Sequence, residues 1–169
     1  MKRTITRFGL YAILTICILS FLIWATVDIV DNTTGEIIGY SSMVVSLIFV
    51  YFGIKHFRDK ENKGTVSFGR ALLIGFLISL MAALAFGILD VIYVKFVNPE
   101  FMTDYYEGML EQARSLPAEE FEIRKTELES EKEMFSNPFM YFFIMSMMVL
   151  VIGFIISLLS ALILQRKTK

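Results

Sequence analysis

One carboxylate, Asp90, stands inside an otherwise apolar stretch, and it is the residue best placed for proton or cation chemistry. A charge near the centre of a bilayer costs about 2.5–3.5 kcal/mol on insertion scales. An acidic residue there is therefore expected to have a hydrogen-bonding partner or a functional role. Two interpretations stay open. Asp90 is either a protonatable or cation-binding group, with Asp28 and Tyr40 as candidate neighbours, or an interfacial carboxylate hydrogen-bonded to the end of a neighbouring helix.

A dense basic cluster, KHFRDK at residues 55–60, follows the second apolar stretch. We predict that Lys55, Arg58 and Lys60 face anionic lipid headgroups, each contributing about 1 kcal/mol near such a surface. His56 is the only histidine, and no cysteine or second histidine stands near it to complete a metal site. We therefore expect His56 to be solvated or to face headgroups.

Other chemistry is not indicated by the residues. The sequence has no nucleophile–base set, phosphate-binding glycine loop or dinucleotide fingerprint. The net charge of −1 gives no reason to expect a nucleic-acid partner. We expect no enzymatic activity and no bound cofactor or metal.

The elements that must position these residues are strongly apolar. Of the 169 residues 56% are hydrophobic, whereas soluble domains typically contain ~45–50%. The apolar residues fall into four blocks of bilayer length, since about 20 helical residues cross the hydrocarbon core. We predict an all-α fold, a four-helix transmembrane bundle forming a single integral membrane domain over residues 1–169, with helices at about 8–27, 37–54, 71–96 and 139–164. A secretory signal peptide is the competing interpretation of the first block, but its length and the lack of a cleavage site favour a retained helix.

Small residues recur every four positions in the third and fourth blocks. Helices in lipid associate through close packing at small residues rather than through apolar burial. We predict that the two stripes face each other, and their members are Ser79, Ala83 and Gly87 in one helix and Gly153, Ser157 and Ala161 in the other.

The long polar segment, about residues 97–138, separates the third and fourth blocks. Pro117 divides it into two predicted helices, 104–115 and 118–135, with Phe121, Leu128 and Phe135 repeating every seven residues as a narrow apolar seam. We predict a helical hairpin that packs on the membrane surface, on the rim of the bundle or on a second copy.

Charge predicts the orientation. The N-terminal segment, the central turn at 55–70 and the C-terminal segment carry eleven Lys and Arg residues. The long loop, counted over residues 95–137, carries five, against eleven acidic residues. The positive-inside rule then places both termini in the cytoplasm and the acidic hairpin outside.

Several short motifs in the chain resemble those of a known protein family. They are Gly39-Tyr40 followed by Met43, the sequence FGIKHFRDK at 52–60, Gly64 before Ser67-Phe68, and FVNPEF at 96–101. In this pattern the chain resembles the DUF4199 family of small bacterial integral membrane proteins. The resemblance implies a four-helix protein of the bacterial inner membrane. It transfers no catalytic residue, because the family has no established activity.

We therefore expect a non-enzymatic multi-pass protein of the inner (plasma) membrane, acting as an interaction or structural component of the envelope. Its partners would be the lipid bilayer and either a second copy or other membrane proteins. The alternative is an oligomeric small transporter or channel subunit that uses Asp90 and needs several copies, since one four-helix bundle leaves little room for a pore.

Overall fold

The computed structural model describes residues 1–25 and 32–166, and there the chain is helical apart from short turns and one isolated β-bridge. The helices are α1 Lys2–Trp24, α2 Asn32–Ser46, α3 Ile48–His56, α4 Phe68–Ile92, α5 Phe101–Ala113, α6 Ala118–Ser136 and α7 Pro138–Leu164. Four helical spans in these ranges are long and apolar enough to cross a membrane, namely Lys2–Trp24, Thr34–Glu61, Phe68–Val97 and Pro138–Leu164. The predicted all-α fold with four membrane-crossing helices is confirmed.

The second span is less regular than predicted. Its first helix, α2, starts at Asn32 rather than 37, and Leu47 interrupts the span between α2 and α3. Beside the break, the Ser46 hydroxyl donates to the Ser42 carbonyl oxygen at 2.8 Å. Serine bonds of this kind to the preceding turn often bend helices.

Two spans end in a widened π-helical turn that the sequence pattern does not predict. The segments are Phe57–Glu61 and Tyr93–Val97. In each case an asparagine closes the turn, because the Asn62 N–H donates to the Phe57 carbonyl at 3.0 Å and the Asn98 N–H to the Tyr93 carbonyl at 2.9 Å. Turns of this kind occur often at functional sites.

The chain reversal after the second span follows the prediction. The Asn62 side-chain amide donates to the Thr65 carbonyl oxygen at 2.6 Å. Lys63 and Gly64 have positive φ angles of 52° and 81°, and glycine adopts this left-handed region at little cost. Phe68 then begins α4, three residues before the predicted start at about 71.

The described chain forms two compact units. The first comprises residues 1–86 and 146–166, and the second residues 87–145. In the first unit α1 packs against α2 and α3, and the fully buried side chains include Ile16, Leu47, Val50, Ile74 and Ile78. The second unit holds the end of α4, the α5–α6 hairpin and the start of α7.

The first unit has the surface of a protein surrounded by lipid. Large apolar side chains lie outside, such as Leu14 with 61% and Ile163 with 70% of its surface exposed. Serines lie inside, among them Ser46, Ser79 and Ser157 at 0% exposure. Water would penalise so much exposed apolar surface, whereas lipid does not.

Small residues let α4 and α7 come close together. A Cβ atom added at Gly153 would lie 2.5 Å from the Ser79 Cβ, and one added at Gly75 would lie 2.7 Å from the Ser157 Oγ. The Ser79 and Ser157 hydroxyl oxygens are 3.3 Å apart. Ser79, Gly153 and Ser157 thus lie at the interface, together with Gly75, which extends the predicted spacing of four by one step toward the start of α4.

The remaining stripe residues are also buried. Ala83 and Ala161 have no exposed surface, and Gly87 is buried in the second unit. The prediction that the two stripes face each other therefore matches the structure where contacts are described, at Ser79, Gly153 and Ser157.

We predict that Gly153→Ala destabilises the protein by about 1–3 kcal/mol, because the added methyl group overpacks the contact with Ser79. The matched control is Gly39→Ala in α2, where an added Cβ meets no atom within 4 Å. The control should leave stability unchanged or raise it slightly, since alanine is the better helix former. Both free energies of unfolding are measured by denaturation in detergent micelles. Equal effects of the two substitutions would show that α4 and α7 do not approach as described.

Candidate functional site

Asp90 lies near the end of α4, in the second unit, and one hydrogen bond to it is described. The Tyr141 hydroxyl donates to its Oδ2 at 3.1 Å. Tyr141 is 3% exposed and belongs to the first turn of α7. A carboxylate bonded to the start of a neighbouring helix is the second of the two interpretations that the sequence left open.

The structure describes one of the two neighbours that the sequence suggested for Asp90. Asp28 lies outside the described residues. Tyr40 lies in α2, within the first unit, and is 47% exposed. Tyr141 itself was missed, because nothing in its spacing marks it as a partner of a residue 51 positions earlier.

Aromatic rings gather in the same unit, a feature that sequence reasoning also missed. Neighbouring rings lie edge to face or stacked at centroid distances of 5.3–6.2 Å, in the pairs Tyr93–Phe101, Phe101–Tyr105, Tyr105–Tyr106 and Phe135–Tyr141. Such pairs are worth about 0.5–1.5 kcal/mol beyond their buried area. The only available signal was the density of aromatic residues just before and just after the polar segment.

The α5–α6 hairpin follows the prediction closely. Its helices end within a few residues of the expected bounds, and Leu128 of the predicted seam is 4% exposed. Tyr106 of α5 is also buried, and burial, with the nearby Glu131 carboxylate, raises the pKa of Tyr106 to about 12. The hydroxyl of Tyr106 therefore stays protonated at neutral pH.

One arginine of α6, Arg124, is paired with glutamates on the acidic surface of that helix. Arg124 donates to the Glu127 carboxylate at 2.9 Å and lies 3.6 Å from Glu131. The hydrogen bond to Glu127 raises the pKa of Arg124. Other glutamates of α6, such as Glu119 and Glu129, are exposed.

A set of polar contacts, which we call the junction, joins three segments of the first unit. The Thr4 hydroxyl donates to Glu61 Oε1 at 2.5 Å. Val66 and Arg166 form an antiparallel bridge with backbone N···O distances of 3.1 and 2.9 Å. The start of α1, the turn after α3 and the end of α7 therefore lie at the same end of this unit, as a topology with both termini on one side requires.

Arg58 corrects one prediction. It is 8% exposed, and its guanidinium binds both Asp59 carboxylate oxygens, at 2.6 and 3.1 Å. A further contact of 3.4 Å reaches the Leu164 carbonyl oxygen. The prediction that Arg58 faces lipid headgroups is therefore wrong, because the planar guanidinium fork fits a carboxylate bidentately. Lys55 and Lys60 are exposed, and their contact with headgroups stays a prediction.

Comparison with known proteins identifies the family. A family model described as "Protein of unknown function (DUF4199)" matches residues 7–166. The chain belongs to the DUF4199 family. The match covers all four apolar spans and the hairpin, so the resemblance inferred from the motifs at 39–68 and 96–101 is confirmed. No curated protein and no solved structure matches the chain significantly.

We predict that Tyr141→Phe and Asp90→Asn are energetically coupled. Tyr141→Phe should cost about 1–2 kcal/mol, because a partly buried carboxylate loses its donor. In a double-mutant cycle the two substitutions should deviate from additivity by at least about 0.5 kcal/mol. The measurement is the free energy of unfolding in detergent micelles.

Tyr106→Phe is the matched control for this cycle. It removes a hydroxyl from the same unit without removing the bond to Asp90. Its effect should add to that of Asp90→Asn. If Tyr141→Phe is also additive with Asp90→Asn, the hydrogen bond does not contribute to stability.

Proposed function

We propose that this DUF4199 member is a non-enzymatic membrane protein that binds another protein of the envelope through the acidic surface of its α5–α6 hairpin. The observation that carries this proposal is the exposed face of α6. It combines carboxylates such as Glu119, Glu120 and Glu129 with apolar side chains, of which Ile123 is 57% and Met134 47% exposed. Exposed apolar residues within a charged rim are typical of interaction surfaces.

The charge of the hairpin indicates the partner's chemistry. Residues 95–137 carry a net charge of −6, and within α6 the described ion pairs involve only Arg124. A partner with a basic, partly apolar surface would complement it. A second copy of this chain is less suitable, because its own basic residues are concentrated at the junction and the central turn.

The orientation follows from charge together with the junction. The three segments rich in Lys and Arg are those that the junction contacts join at one end of the first unit. Under the positive-inside rule this end faces the cytoplasm, and α4 then leads to a hairpin on the outer side. We therefore propose a plasma-membrane protein with both termini inside.

We predict opposite labelling of two single cysteines in a Cys17→Ala background. A membrane-impermeant maleimide added to intact cells should modify Glu129→Cys and leave Lys60→Cys unmodified, since the two positions would face different compartments. Both residues are exposed, so permeabilised cells, in which both should react, serve as the control. Labelling of Lys60→Cys alone in intact cells would reverse the proposed orientation.

We predict that neutralising the hairpin weakens partner binding. The variant replaces four exposed glutamates by glutamine, at Glu119, Glu120, Glu129 and Glu133. At about 0.2–1 kcal/mol for each exposed charge, the four substitutions together should weaken binding by about 0.8–4 kcal/mol, which is at least about fourfold. The measurement is co-purification after crosslinking in mild detergent, at low and high salt.

The control neutralises exposed charges outside the hairpin, with Lys2→Gln and Arg3→Gln. It should recover partners as the wild type does. If the hairpin variant inserts normally and recovers the same partners in the same amounts, the acidic surface is not the binding surface.

A second candidate function rests on the environment of Asp90. A carboxylate in an apolar helix whose described hydrogen bond comes from one tyrosine could take up a proton or a cation in an oligomeric transporter. Ion flux into proteoliposomes that is abolished by Asp90→Asn, together with a multimeric native mass, would favour transport over protein binding. Absence of flux with the wild type would remove this candidate.

A further inference from the structure

An apolar groove with a basic mouth lies in the first unit, between α1 and the end of the second span. Its volume is about 360 Å³, within the range of about 300–1,000 Å³ that holds small ligands. Its walls are aromatic and its mouth is polar, and the lining residues are Phe8, Tyr11, Phe49, Phe52, Lys55, His56, Asp59 and Lys60.

Ring contacts build the walls. Tyr11 contacts Phe8 and Phe49, each at a centroid distance of 5.7 Å, and Phe8 lies 5.4 Å from the His56 ring. Phe52 is 45% and Tyr11 39% exposed, so the groove opens sideways, toward the lipid that surrounds the span. The walls present apolar surface at the level where a lipid's acyl chain begins.

The mouth is positively charged. Lys55 and Lys60 are exposed. Arg7 adds a third cation, since its guanidinium carbon lies 5.9 Å from the Phe8 ring centroid and 5.7 Å from that of Tyr11. The one acidic lining residue, Asp59, is bound bidentately by Arg58, so the mouth with Lys55 and Lys60 keeps a net positive charge.

We propose that this groove is a binding site for one anionic glycerophospholipid. The phosphate and headgroup lie against Lys55, Lys60 and Arg7, and one acyl chain lies along Phe8 and Phe52. Basic pockets between transmembrane helices recognise anionic headgroups in this way. Inorganic phosphate would leave the aromatic walls uncovered, and a zwitterionic lipid would leave the three cations unmatched.

Native mass spectrometry in detergent tests the selectivity. Phosphatidylglycerol and phosphatidylcholine with identical acyl chains are titrated onto the full chain, and we expect the first to bind as one tightly held molecule. Lys55→Gln combined with Lys60→Gln should weaken its binding about 25-fold, since each lysine near an anionic headgroup contributes about fivefold. The charge-matched control, Lys2→Gln with Arg3→Gln, should change binding less than twofold. Equal binding of the two lipids, or an equal loss in the control, would overturn the proposal.

A second measurement keeps both lysines and so does not depend on the folding of the charge variants. Phe52→Trp in a Trp24→Phe background places one indole at the groove. In mixed bilayers, phosphatidylglycerol with brominated acyl chains should quench it at a mole fraction at least fivefold lower than brominated phosphatidylcholine does. Identical quenching curves would show that the groove holds bulk lipid only, and quenching relieved by inorganic phosphate would assign the site to free anions.

Discussion

The close approach of α4 and α7 is the contact on which the first unit depends. Lipid tails are as apolar as leucine side chains, so burying leucine between helices gains little, and packing density must hold the helices together. Dense packing is achieved at four small residues that let the two backbones come near, namely Gly75, Ser79, Gly153 and Ser157. The two hydroxyls also bond to their own helices, where Ser79 donates to the Gly75 carbonyl and Ser157 to the Gly153 carbonyl. The hydroxyls of Ser79 and Ser157 are therefore hydrogen-bonded without water.

The polar chemistry is concentrated away from that apolar interface. In the first unit it is found at the junction, where Thr4, Arg58 and Arg166 join segments distant in sequence. In the second unit it is found at Asp90 and Tyr141 and along the glutamate-rich α6. A carboxylate or guanidinium is retained in such surroundings only with a partner, and both Asp90 and Arg58 have one.

Membership of the DUF4199 family, which is described as a family of unknown function, supplies no activity. Two surfaces of the described residues carry the functional proposals. The hairpin presents carboxylates beside exposed Ile123 and Met134, and the groove between Phe8 and Phe52 presents aromatic walls below two lysines. We propose the first as the site for a basic protein partner and the second as the site for an anionic lipid.

Much of the architecture could be predicted from the sequence, because bilayer crossing is a local property. Hydropathy over about 20 residues marks each span, Pro117 and Asn98-Pro99 mark helix limits, and a spacing of four marks the packing stripes. The break at Leu47 and the two π-helical turns could not be predicted, since the sequence does not specify which carbonyl oxygen accepts from a serine hydroxyl or an asparagine N–H. The burial of Arg58 could not be predicted either, since it depends on contacts of its guanidinium group with Asp59 and with the end of α7.

The sequence by itself determined the number of spans, the helical hairpin and the family. The tertiary structure alone decided the partners: Tyr141 for Asp90, Ser157 for Ser79, Arg166 for Val66, and the ring cluster around Phe101. The physical reason is the separation along the sequence over which each kind of interaction acts. Hydropathy and turn chemistry act on neighbouring residues, whereas a hydrogen bond between residues 51 or 78 positions apart requires helices already packed in one register.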